Sequence, residues 1–102
     1  MLPFISLNAA AAPVDGAARD YERVLAHHTM RLVVTGEPDT LSVHLLGSHD
    51  GADWFPILLI TGGTRLASTA GNGDHNVRYV KARLNALSGG TAPTVTATIA
   101  ST

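Results

Sequence analysis

Five histidines, His27, His28, His44, His49 and His75, are the side chains best suited to chemistry, because a neutral imidazole can ligate zinc or move a proton near neutral pH. A zinc site needs three or four converging ligands, and no H-x-x-x-H or comparable spacing is present. His28 and His44 could face each other on adjacent strands. A pair is not a site, so the histidines read as polar-face residues and no metal is expected.

Asp50, Asp53 and Asp74 stand in Gly-rich stretches and have the hard oxygens that calcium takes. The spacing D-G-A-D lacks a run of acidic ligands, and turn chemistry already accounts for Asp50. Glu22, Glu37 and Asp39 are the remaining candidates for a carboxylate pair, but "EPD" reads as a solvated turn and gives no glycosidase constellation. No serine stands in G-x-S-x-G, and "GTR" and "AGNG" are too short and isolated to cradle a phosphate. Neither enzymatic activity nor a cofactor is expected. Of the five aromatics, Phe4, Tyr21, Trp54, Phe55 and Tyr79, a sugar-binding surface would use Trp54 or Tyr79. The plainer role for Trp54 is to cap the core beside a hairpin.

Composition narrows the partners. The chain of 102 residues is the size of one domain, able to bury roughly two thirds of the surface it exposes when unfolded. Charged residues make up only 15%, where about 25% is usual, which suggests surface covered by a partner. The net charge of −1 and the absence of any basic run argue against nucleic acid. With no cysteine, no disulfide or thiolate chemistry is available. No apolar run approaches a membrane span. The start, "MLPFISLNAAAAPVDG", has no Lys or Arg before Arg19 and is broken by Pro3 and Asn8, so a secretory leader is not expected.

Turn-forming clusters punctuate the chain at intervals of about ten residues: "TGEPDT" at 35–40, "SHDG" at 48–51, "TGGT" at 61–64, "AGNGD" at 70–74 and "SGGTAP" at 88–93. Between them lie alternating segments with one apolar face: Met30, Leu32, Val34; Leu41, Val43, Leu45; Val80, Ala82, Leu84; and Val95, Ala97, Ile99. "GAARDYERVLAHH" fits a helix through Tyr21, Val24 and Leu25 or a strand through Tyr21, Arg23 and Leu25, and the strand is favoured. The run "WFPILLI", Trp54 to Ile60, is apolar on both faces, and Pro56 places it at an edge or a bulge. An uncharged edge needs cover, from its own fold or from another chain.

These patterns predict an all-β protein, an antiparallel two-sheet β-sandwich of jelly-roll or immunoglobulin-like type, with an extended N-terminal arm. The arm takes residues 1–14 and the sandwich 15–102. The corner at Ser48, Asp50, Gly51 and Trp54 is expected to be structural: Ser first and Gly fourth suit a type I turn, Asp50 accepts from an N–H two residues on, and a hairpin joins Leu41–Ser48 to Trp54–Ile60.

"VTG" at 34–36, "LSVHLLGSHDGADWFPI" and "VRYVKARLNALSGGTAPTVTATI" together resemble small β-sandwich structural proteins of tailed phages, in which a strand ends in a "GS.DG..W" corner and a late "RYV.ARL" strand pairs with a Thr-rich last strand. The resemblance spans Gly16 to Thr102. It implies a virion component, foremost a capsid decoration protein on the head and alternatively a tail or baseplate module, and it brings no catalytic residues. The major capsid protein shell would be the partner. A homo-oligomer is expected from the sparse charge, a trimer only from the threefold sites of capsid lattices, and the apolar arm residues Leu2, Phe4, Ile5 and Leu7 are the expected contacts. A carbohydrate-binding adhesin using Trp54, Tyr79 and "GNGDHN" is the alternative of another class.

Overall fold

The computed structural model describes residues 3–63 and 68–102. Seven strands follow one another: β1 (Phe4–Ala10), β2 (Val14–Asp15), β3 (Arg19–Thr35), β4 (Thr40–Ser48), β5 (Phe55–Gly63), β6 (Ser68–Ser88) and β7 (Thr94–Ser101). All pair antiparallel along one path, β1-β7-β3-β6-β4-β5, with β2 added beside β6.

Two long strands turn this path into two facing layers. The first part of β6 pairs with β3 from His27 to Val33, whereas its second part, Tyr79 to Ser88, pairs with β4. The β3–β6 ladder breaks between Asp20 and His27, where Glu22 takes a positive φ of 60°. That irregularity makes Arg23 and Val24 exposed while Tyr21 and Leu25 stay buried, so strict alternation through Tyr21, Arg23 and Leu25 fails there. The strand assignment itself holds.

The four alternating segments bury the expected faces. Met30, Leu32, Val43, Leu45, Val80, Ala82, Val95, Ala97 and Ile99 are all fully buried in one cluster. Each large member contributes roughly 1.5–3 kcal/mol relative to an exposed position. Opposite them the strands carry Thr, Arg and Lys, as a wetted sheet face requires.

Three expectations are corrected. "AGNGD" is not a turn, because β6 runs straight through it. Its glycines serve packing: a Cβ on Gly73 would lie 2.6 Å from the Ile57 side chain, and one on Gly71 2.9 Å from Leu58. Only bare backbone lets β5 lie this close across the sandwich. Second, the segment expected as an arm is strand β1, in register with β7 through Phe4↔Ile99 and Ile5↔Thr98. Phe4 and Leu7 join the common core, Arg19 lies 4.6 Å over the Phe4 ring, and the Ser6 hydroxyl donates to Ala17 O and accepts from Ala82 N. Of the expected contact residues Phe4, Ile5 and Leu7, only Ile5 points outward, 55% exposed, and Leu2 lies outside the described residues. Third, His28 and His44 do not face each other, since β3 and β4 are separated by β6.

Of the other clusters, "TGEPDT" and "SGGTAP" hold turns, whereas "TGGT" continues β5 as far as Gly63 and its Thr64 lies outside the described residues. Gly36, Gly89 and Gly90 take positive φ at the β3–β4 and β6–β7 connections, which are tied together by Thr91 N to Gly36 O at 2.8 Å. β5 is the end of the path, as Pro56 suggested, and the proline sits at the register shift between Leu45 and Leu46.

Candidate functional site

Ser48 is fully buried, and its Oγ accepts from the Gly51 N–H at 2.9 Å and donates to Asp50 Oδ1 at 3.0 Å. The same carboxylate oxygen accepts from the N–H groups of Ala52 (2.8 Å) and Asp53 (2.9 Å). Those backbone donors, with Ser48, hold the Asp50 carboxyl below the ordinary carboxylate range. Gly51 has φ of 80° and lies against the Tyr79 ring. One oxygen of Asp50 is thus spent on closing the loop, and the corner is an Asx-type turn.

A second polar cluster was not legible in the sequence. Tyr21 donates from its hydroxyl to Ser101 Oγ at 2.9 Å, and Ser101 Oγ lies 2.7 Å from His28 Nδ1. His28 Nε2 is 2.8 Å from the carbonyl oxygen of His75. A carbonyl only accepts, so Nε2 carries the proton and Nδ1 accepts from Ser101. Protons therefore run in one direction, from Tyr21 to Ser101 to His28 to His75 O. Burial pushes the Tyr21 phenol up, which keeps it a donor. The Ser–His contact has the reach of a nucleophile and its base, yet both residues are 1% exposed and every proton is committed. The cluster pins β3, β6 and β7 to one another.

Above it lies a ring cluster at the surface. The His75 ring is 4.8 Å from Phe55 and 6.3 Å from His49, and His49 is 5.5 Å from Phe55. His27 pairs with Asp74 at 3.1 Å, both well exposed. Among the described residues no three His, Asp or Glu side chains converge on a common point, and no enclosed cavity is present.

The outer face of β6 and β4 carries the third grouping. Asp15 accepts from Arg83 Nε at 2.5 Å and from Lys81 Nζ at 3.3 Å, and the Arg83 guanidinium, first, holds the Asp15 carboxyl below its usual range. Lys81 Nζ also lies 4.3 Å over the Trp54 ring. Trp54 is half-buried on this face and outside the core cluster, so it does not cap the core. Asn85 Nδ2 donates to His44 Nδ1 at 2.7 Å, which leaves His44 Nε2–H facing away. Tyr79 is flanked by Arg78 at 5.3 Å, and Arg78 forks onto Asp20 at 2.6 and 2.9 Å. The stretch "GNGDHN" lies within β6 and makes no loop.

No protein-family model and no curated protein matches the sequence. The SPBc2 prophage-derived protein YomS superposes with a TM-score of 0.65 at 10% identity, over 99% of this chain and 92% of its own. The PBSX exported protein XepA gives 0.64 at 18% identity over 97% of this chain, which spans only 37% of XepA. CBM32-3 from a family 31 glycoside hydrolase of Clostridium perfringens gives 0.58 at 9% identity, over 98% of this chain and 75% of its own. The fold is an antiparallel β-sandwich shared with these proteins. At such identities the likeness is one of fold.

Proposed function

We propose that this chain is a non-catalytic structural module of a tailed-phage particle, and most specifically a capsid decoration protein seated on the outer surface of the head. The observation that carries the reading is the likeness to a prophage-derived protein over 99% of this chain and 92% of the other. The polar chemistry supports it. The corner and the His28 cluster spend their hydrogen bonds inside the fold, and the groups left to act are sheet faces and edges. Binding on such surfaces gains strength by repetition on a symmetric lattice, where many modest contacts act together. The major capsid protein shell is the proposed partner, and the chain engages it as a homo-oligomer.

A second reading, a carbohydrate-binding adhesin module, draws on the likeness to CBM32-3 and on the Trp54, Lys81 and His44 face. The deciding experiment separates heads from tails of the source particle and quantifies this chain in each by mass spectrometry. Enrichment in heads near the copy number of the shell protein is the expected result. Enrichment in tails at low copy transfers the protein to a tail, baseplate or adhesin role, and absence from both overturns the virion reading.

A further inference from the structure

We infer that strand β5 is a self-pairing edge, through which two copies of this chain join antiparallel about a twofold axis near Ile60, within the regular stretch Leu58–Gly63. The inference deepens the homo-oligomer part of the proposed function and rests on it only for its biological setting, because the pairing is a property of the free chain.

The two ends of the strand path differ. β1 has two register shifts against β7, between Ile5 and Leu7 and between Leu7 and Ala10, and Ala9 stands at φ of 49°. Its ladder is broken, and a bulged edge twists away from incoming strands. β5 is regular from Leu58 to Gly63, each residue in unbroken register with β4 from Leu45 to Thr40. Its other side pairs with no strand among the described residues.

Edge strands normally carry Lys, Glu or an inward charge to refuse partners. The nine residues Phe55–Gly63, "FPILLITGG", contain no charge at all. Pro56 lies at the bulged end and leaves the regular stretch free to donate. Leu59 is 50% exposed, beside His44 in the ladder.

These features select the occupant. Head-to-tail addition of β5 to β1 of another copy would propagate a fibre, and the bulges of β1 oppose it. A second β5 is regular, uncharged and of the same length, and antiparallel pairing across a twofold closes after two chains. Leu59 and Thr61 of each copy then share one face with their counterparts, and no like charges meet across the new ladder. The trimer expected from capsid lattices has no such support in the residues.

Sedimentation equilibrium of the full chain tests this directly. The expected species has twice the 10.6 kDa chain mass. Leu59→Lys places like charges on both sides of the seam and is expected to weaken association by about tenfold or more. Thr61→Lys, at another exposed position of the same strand, acts in the same direction. Ile5→Lys, on the opposite edge, leaves the dimer intact. Circular dichroism verifies the fold of each variant. Hydrogen exchange is expected to show β5 amides protected in the wild type and released in Leu59→Lys. A wild-type monomer at all accessible concentrations, or a dimer lost in Ile5→Lys and kept in both β5 variants, overturns the inference. Either result leaves the head and tail assay untouched, so the two ideas fail separately.

Discussion

The buried cluster of Tyr21, Ser101 and His28 and the surface corner of Ser48 and Asp50 meet at the same end of the sandwich, joined through His75, whose carbonyl His28 holds and whose ring lies beside His49. Both contain residue types used in catalysis, and both close their hydrogen bonds on themselves. They differ in what replaces a missing partner. At the corner, water reaches the exposed Asp50. At His28 and Ser101, each 1% exposed, it does not. Burial therefore decides what each bond is worth, because an unpaired polar group is costly only where solvent cannot reach it.

The largest test of that contrast is His28→Leu. It leaves the His75 carbonyl without its donor and Ser101 without its acceptor, and a loss of about 2–4 kcal/mol is expected in urea denaturation. A loss under about 1 kcal/mol would mean that water enters the site and that the contrast is false. Tyr21→Phe is milder. The ring contact with Phe4, edge-on at 6.5 Å, survives while one donor disappears, so about 1 kcal/mol is expected.

Asp50→Asn should have the smallest effect at neutral pH, since the amide oxygen still accepts from Ala52 and Asp53. Its signature is in acid. The folded Asp50 carboxyl lies below its unfolded value, so its contribution is complete above the ordinary carboxylate range and disappears as pH falls through the depressed folded value. The melting temperature of the wild type should accordingly fall more steeply than that of Asp50→Asn across that acid window. Parallel curves would show that the charge on Asp50 does not matter to the corner.

The same contrast explains what could be read in advance. The corner was legible because its partners lie within five residues, and Ser, Asp and Gly at fixed offsets state a turn locally. The His28 cluster was not, because Tyr21 and Ser101 are 80 residues apart and only the β3–β7 pairing brings them together. Five histidines in the sequence do not say which of them is buried. The glycines of "AGNGD" carried a misleading signal, since punctuation and close packing ask for the same residue. β1 was hidden for another reason: Ser6 is buried between Phe4 and Leu7, and the two bulges erase the alternation that marks a strand.

By itself the sequence determined the all-β class, the four alternating core strands, the Asx corner and the edge position of the strand that contains Pro56. Each follows from local chemistry: a period of two, a turn residue at its required offset, a missing N–H. The tertiary structure alone decided that the first strand belongs to the core, that Gly71 and Gly73 receive β5, and that a serine and a histidine from opposite ends of the chain share a proton network. Those features depend on which surfaces meet when the sheet folds over, and burial is a property of the whole chain.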